Sequence, residues 1–393
     1  MMARMLYLLG SLLLPLALSL SVSTHLTPAD RYLPNHFHQI LMKQLEKLAH
    51  ASSLSSRSRF ASLLSSSLAP SSDLASLHYS ILGSSLLGEK VPAPGPLCAQ
   101  LAASQGATSV ETLYQASTAA QSLGCPLTLS TEAAAAVTAG LADGATTASI
   151  YFAAKTQLAV GKKLASAAVM AALTKAVKKD DSLLSLGLAF HTAALLDGDL
   201  SKFFDRIEDA VVQADEVDGK LLQFEGGLSV TSVVLTGAAN LAVKANKKLP
   251  VTAEQAVKFA NYLLSRKSVQ QAKGVFHLLE AVSTLAANPQ YVPLSVSLAS
   301  AVAVSAAEPS VVVSVTDIAG GSPGAMTVVL DTATRLEDGA VVAAKQPLVH
   351  MVTTDKYTVD LMAAKPPPGF YELVLTAKPA KPDPRWASKE HST

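Results

Sequence analysis

Four segments of this sequence close on a glycine at a near-constant interval, and that repeat limits what the chain can fold into. They are DLASLHYSILGSSLLG, ending at Gly88, SVETLYQASTAAQSLG, ending at Gly124, TTASIYFAAKTQLAVG, ending at Gly161, and LLSLGLAFHTAALLDG, ending at Gly198. The glycines stand 36, 37 and 37 residues apart. Apolar residues recur at helical spacing within each segment, and glycine suits the left-handed position just past a helix end. Tyr114 and Tyr151 lie ten residues before their glycines, and Tyr79 nine before its own. Second helices are predicted between them, near Leu97 to Ser104, Thr131 to Leu141, Leu164 to Lys179 and Leu200 to Glu216. Two helices per fixed unit predict an αα-repeat of solenoid or toroid kind, because one unit cannot bury its apolar face alone.

The stretch from Leu221 to Ala245 fits as a fifth first-helix. Leu228, Thr231, Leu235, Ala238 and Leu241 share a face that Val230, Val233 and Val234 widen, so other helices must surround it. Ser229 is its predicted N-cap. A looser pair follows, Val251 to Lys267 and Ser268 to Ala287, before Asn288 and Pro289 end the helical part. From Tyr291 the apolar period becomes two. SVSLASAVAVSA, PSVVVSVTD, AMTVVLDT, AVVAAKQ, LVHMVT, YTVDLMA and FYELVLTA are short runs rich in β-branched residues, divided by GGSPG, DG and KPPPG turns. The fold class is therefore α+β in separate domains: a helical repeat over 73–288, then an immunoglobulin-like β-sandwich over 289–378. Residues 379–393 read as a Pro/Lys-rich tail.

Residues 1–23 have the layout of a secretory signal, with Arg4, an apolar run from Met5 to Leu20, and small residues Ser21 and Ser23 before a cleavage point. No later stretch is expected to span a bilayer. In 24–72 a helix is predicted from Phe37 to His50, and the eleven serines among residues 52–72 predict a mobile loop. Entry to an oxidising compartment makes a Cys98–Cys125 disulfide the favoured reading of the two cysteines, with two buried thiols as the alternative. Cys98 opens one predicted helix and Cys125 follows the next, so an antiparallel hairpin brings them together.

Chemistry is sparse. A formal net charge of +1 and the lack of a basic, aromatic-interleaved patch speak against nucleic acid. The sequence holds no G-x-S-x-G, P-loop, G-x-G-x-x-G or H-E-x-x-H, and we expect no catalytic residue, cofactor or metal. His36 and His38 read as a solvated turn, and His191 and His277 as core or inter-helix histidines. Asp197 and Asp199 share D-x-D spacing with metal sites, but Gly198 ends one helix and Asp199 can cap the next. Glu208, Asp209, Asp215, Glu216 and Asp218 read as a solvated acidic end.

LTPADRYL, DLASLHYSILGSSLLGEKVP leading to Cys98, YQASTAAQSLGC ending on Cys125, and GKLLQFEGGLSVTSVVLTGAANL occur in that order. Together they resemble the ribophorin II family. The resemblance implies a non-catalytic subunit of the oligosaccharyltransferase complex, which moves a preassembled glycan from dolichyl diphosphate to Asn in N-x-S/T sites. It implies a lumenal helical domain at the endoplasmic reticulum membrane, then β-domains, then membrane helices. The partners it implies are the catalytic subunit, ribophorin I and nascent polypeptides. This chain stops after one β-domain, so a truncated isoform or an incomplete reading frame is the expectation. The alternative function is a secreted or lumenal helical-repeat binding protein with no role in glycosylation. A third is a toroid enzyme with Asp197 and Asp199 as metal ligands.

Overall fold

The computed structural model describes residues 20–26, 54–69, 72–92, 94–287, 294–298, 303–304, 307, 309–318 and 320–381. The predicted helix at Phe37 to His50, with His36 and His38, lies outside them. The chain divides into two compact units. Arg57–Val251 with Tyr262–Thr284 is helical, and the other unit is carried by β-sheets.

Helix α1 (Leu54–Ser66) occupies the segment whose serines predicted a loop. The serines mask an i, i+4 pair, Phe60 and Leu64, that is buried. Their hydroxyls turn back onto the helix itself, Ser65 Oγ to the Ser62 carbonyl at 2.9 Å and Ser66 Oγ to that of Leu63 at 2.7 Å.

The repeat then follows as α2 (Leu74–Leu86), α3 (Pro94–Ala103), α4 (Val110–Leu123), α5 (Thr131–Gly140), α6 (Thr147–Ala159), α7 (Ser166–Lys179) and α8 (Leu183–Ala193). Asp73, Ser109, Ser130, Thr146 and Ser182 cap five of them by accepting a bond from the amide three residues on. Gly88, Gly124 and Gly161 take φ of 68°, 71° and 75°. The next amide in each case bonds back to the same carbonyl of the preceding helix: Glu89 to Ser84, Cys125 to Ala120 and Lys162 to Gln157. The period read in the sequence is thus a repeated helix terminator.

After Gly198 the pattern changes. The helix expected through Glu216 is instead α9 (Ser201–Phe204) and α10 (Arg206–Val211), then a hairpin of β2 (Asp215–Val217) and β3 (Leu221–Gln223). Asp218 and Gly219, both at positive φ, make its turn. Helix α11 (Gly227–Lys244) starts two residues before Ser229, with Gly226 at φ 93° as its N-cap, so Ser229 sits inside the first turn. Gly226 relieves a conflict there, since a Cβ would come within 2.5 Å of Val230. By length and a mean hydropathy of 1.2, α11 can cross a membrane. In this fold its residues Thr231–Ala238 are continuously buried, as a core helix requires. Helices α12 (Ala253–Ser265) and α13 (Ala272–Ala286) complete the series.

The first helices close into a ring. His78 of α2 meets Tyr114 of α4, which meets Tyr151 of α6, which meets His191 of α8. His191 bonds Thr236 of α11 at 2.9 Å, and Ser232 of α11 donates to the His277 carbonyl of α13 at 2.8 Å. Phe276 of α13 then packs on Tyr79 of α2, with centroids 5.5 Å apart, completing the circle. Arg59 adds a second tie by donating to the Val269 carbonyl at 3.3 Å. The geometry is a toroid rather than an open solenoid. Its tightest contact is α8 on α11, where a Cβ on Gly237 would lie 2.6 Å from the Gly187 carbonyl oxygen.

In the second unit, β4 (Leu294–Leu298), β6 (Ser310–Asp317), β10 (Lys356–Asp360) and β9 (Val349–Met351) pair in the order β4-β6-β10-β9. The facing sheet runs β5-β1-β11-β7-β8, with β1 (Leu20–Leu26), β5 (Ala303–Val304), β7 (Met326–Arg335), β8 (Val341–Pro347) and β11 (Gly369–Pro379). Alternate residues of both sheets, among them Val296, Val313, Leu330, Tyr357 and Leu373, fill one core. In chain order the four-stranded sheet has the A-B-E-D arrangement of an immunoglobulin-type sandwich, with β7 and β11 in the C and F places opposite. Tyr371, near the start of β11, donates its hydroxyl to the Pro367 carbonyl at 2.5 Å, the tyrosine corner of that fold. The place beside β11 is taken by β1, antiparallel from Leu20–Leu375 to Leu26–Gly369. The cleavage point expected after Ser23 therefore falls within a strand.

Candidate functional site

The two cysteines are bonded, with Cα atoms 5.5 Å apart, and tie α3 to the residue just past the Gly124 cap. Cys98 is the fifth residue of α3, because the helix begins at Pro94 instead of Leu97. The bridge packs with Ile81, Leu101, Ala119 and Ala120, a structural position.

Asp197 and Asp199 point to other work. Asp197 is exposed and paired with Lys244 at 2.8 Å, and Asp199 accepts from the Ser201 amide at 2.9 Å as α9 begins. Among the described residues no group of three His, Cys, Asp or Glu side chains is placed to hold a metal.

The chemistry gathers instead inside the ring. Tyr114 and Tyr151, at one position of the repeat, and Tyr79, one residue off it, gather with Phe152, Lys155, His191, Phe276, His277 and Glu280. Tyr114 packs between His78, at 4.9 Å, and Phe152, at 5.0 Å. The Tyr114 hydroxyl donates to that of Tyr151, and burial holds both phenols well above their usual range. Burial, with the charges of Glu111 and Glu280, pushes Tyr79 to about 12.

The three histidines are neutral for one shared reason, desolvation of the cation. It lowers His78 and His191 to about 4 and His277 to about 3, with nearby Lys155 or Lys273 adding to the effect. Thr236 donates its hydroxyl proton to the Ser232 carbonyl at 2.7 Å, so His191 Nε2–H donates to Thr236 Oγ1. The same reasoning assigns the proton of His78 to Nδ1, 3.2 Å from the Gln115 carbonyl, because Thr118 gives its own to the Tyr114 carbonyl. His78 Nε2 is then a buried acceptor with no protein donor. The inter-helix reading of His191 describes its bond well. His277 differs: its Nδ1 has no hydrogen bond and lies 4.0 Å from Glu280.

Lys155 and Glu280 are the charged pair of this interior. Burial raises Glu280 to about 7 against the opposing pull of Lys155, and burial lowers Lys155 against the pull of Glu280. They influence one another through space without sharing a hydrogen bond. Glu280 keeps 28% of its side-chain surface accessible although groups from α2, α4 and α6 all lie within its electrostatic reach. Glu280 is thus encircled by groups of three other helices and still partly open to solvent. The sequence marks both residues only as lone charges on apolar helices, in SIYFAAKTQL and GVFHLLEAVS.

A closed helical ring with ionisable groups in its interior, followed along the chain by an immunoglobulin-type sandwich, defines a two-domain helical-repeat protein. The profile of the Ribophorin II N-terminal domain matches residues 53–286, and that of the Ribophorin II second domain matches 294–393. This chain belongs to the ribophorin II family. A curated relative from Oryza sativa subsp. japonica, dolichyl-diphosphooligosaccharide–protein glycosyltransferase subunit 2, is 25% identical over 185 residues, 46% of this chain and 26% of that protein. The match thus spans about a quarter of the relative's length.

Proposed function

We propose that the chain is a non-catalytic accessory subunit of an oligosaccharyltransferase, acting on the lumenal side of the endoplasmic reticulum membrane. The observation that carries this reading is the order of the two ribophorin II domain matches along the chain, 53–286 and then 294–393. The name of the rice relative supports it. In this role the chain contributes surfaces for the catalytic subunit, for ribophorin I and for nascent polypeptides. It uses no cofactor of its own and does not bind nucleic acid.

The test is affinity purification of the tagged full chain from its native cells, with transferase activity assayed on an N-x-S/T acceptor peptide. Activity and other subunits should co-purify. Recovery as a free monomer without either would replace this reading with a helical-repeat binding protein outside glycosylation.

A further inference from the structure

The ring has one joint that the chain itself does not bridge. α2 and α4, α4 and α6, α6 and α8, α8 and α11, and α11 and α13 are each joined by the elements between them in sequence. α2 and α13 are the two ends of that series, so their meeting is noncovalent. Tyr79 contributes three contacts to it. Its ring lies 5.5 Å from that of Phe276 and 5.7 Å from that of His277, and the Lys273 ammonium sits 5.8 Å from its centroid. Lys273, Phe276 and His277 share one face of α13 at i, i+3 and i+4. A ring of this kind parts most readily where no backbone crosses the gap.

Helix α1 is fastened on both sides of this joint. On the α2 side, Leu64 is buried against Gly83, where a Cβ would come within 3.0 Å of both Leu64 methyl carbons. Arg57 donates to the Leu87 carbonyl at the end of α2 and pairs with Glu89 at 3.6 Å. On the α13 side, Arg59 donates to the Val269 carbonyl at 3.3 Å. Val269 closes the turn that leads into α13, its amide bonding to the Arg266 carbonyl at 3.2 Å. It also packs on the first turn of that helix, since a Cβ on Gly274 would lie 3.4 Å from the Val269 Cβ.

α1 is a weak helix by itself. Six of its thirteen residues are serine, and the hydroxyls of Ser65 and Ser66 bond to carbonyls of their own helix. Isolated helices shorter than about 12–15 residues are marginal in water even when rich in alanine. The helix therefore depends on docking through Phe60 and Leu64, so undocking and unwinding are one event. An element that holds a joint and forms only while it holds it behaves as a switch between two states.

We propose that α1 is a strap that keeps the helical ring shut, and that the ring opens at the α2–α13 joint when α1 lets go. The remaining joints stay closed because the chain spans them. Release frees Tyr79 from Phe276 and His277 and turns the closed ring into an arc.

Hydrogen exchange on the full chain, read by mass spectrometry, tests it. In the unmodified protein under rising sub-denaturing urea, amides of α1 and of Val275 to Leu279 in α13 should open together, ahead of those of α8 and α11. Arg59→Ala removes the tie to Val269 and leaves Leu64 on Gly83. It should speed exchange at Val275 to Leu279 by about tenfold or more and leave α8 and α11 unchanged. Lys175→Ala, which breaks the 2.6 Å ion pair with Asp143 away from the joint, should alter none of them. Circular dichroism checks that Arg59→Ala folds, and if it does not, the urea series on the unmodified protein decides alone. Opening of Val275 to Leu279 in step with α8 and α11 instead of α1 overturns the proposal. So does unchanged exchange there in folded Arg59→Ala, or an acceleration spread evenly around the ring.

Discussion

The two units solve the problem of an interior in opposite ways. The sandwich interior is apolar: valine, leucine and alanine from two sheets meet in one core, and Tyr357 and Tyr371 lead their hydroxyls to backbone partners. The ring packs its small residues between helices, as at Gly187 and Gly237, and reserves its middle for tyrosines, histidines, Lys155 and Glu280. A closed sandwich core only has to exclude water. The ring of helices instead keeps titratable side chains from several helices among its inner contacts. Structure and chemistry are thus divided between units instead of competing within one.

Acid should separate the units most sharply. Folded-state values near 4, 4 and 3 for His78, His191 and His277 lie below the ordinary 6.5, so the unfolded chain binds more protons as pH falls from about 6.5 toward 4. Glu280, raised to about 7, works the other way, taking up a proton in the fold before it would when unfolded. Three groups oppose one, and the ring should lose on the order of 3 kcal/mol between pH 7 and 5. Asp331 and Asp355 of the sandwich are held below the usual carboxylate range, so their stabilisation is lost only at lower pH. Hydrogen exchange across this range should open ring amides first. Equal opening of both units would erase the contrast.

Leu373→Ala deletes a fully buried side chain from the sandwich and should cost about 2–5 kcal/mol there. Denaturant titration followed by hydrogen exchange reads where the loss falls. In the ring the comparable weakness is the bridge. Reduction, or Cys98→Ala with Cys125→Ala, releases a loop of 27 residues and should cost about 3.5 kcal/mol by the chain-entropy relation. Gly237→Ala should follow at about 1–3 kcal/mol, because its Cβ would press on the Gly187 carbonyl and His191. A thermal midpoint unchanged by that methyl would show that the α8–α11 contact is looser than described. Smallest is Asp73→Ala, which removes bonds to Ser76 N at 2.9 Å and Ser76 Oγ at 2.7 Å and should cost about 1 kcal/mol.

What the sequence discloses follows from how local each signal is. The glycine terminators depend on a few neighbouring residues, and the repeat they mark is present in the structure. Strand alternation from Leu294 onward is equally local. Helix α1 was hidden because composition spoke louder than the Phe60–Leu64 spacing. Strand β1 was hidden for another reason: its partner, β11, lies at the far end of the chain. The cluster of titratable groups was half legible. Tyr114 and Tyr151 recur at one repeat position and Tyr79 one residue off it, but the approach of Lys155 to Glu280 depends on ring closure, which no local pattern encodes.

That closure bears on how the protein is made. The joint between Tyr79 and Phe276 links residues about 200 positions apart, a contact whose loop entropy must be met late. During synthesis from the N-terminus, α2 to α8 can stack as an open arc, with the disulfide already within reach, long before α13 exists. For that interval the future interior is an open trough. Its histidines and tyrosines stay open to water until α13 arrives and covers them.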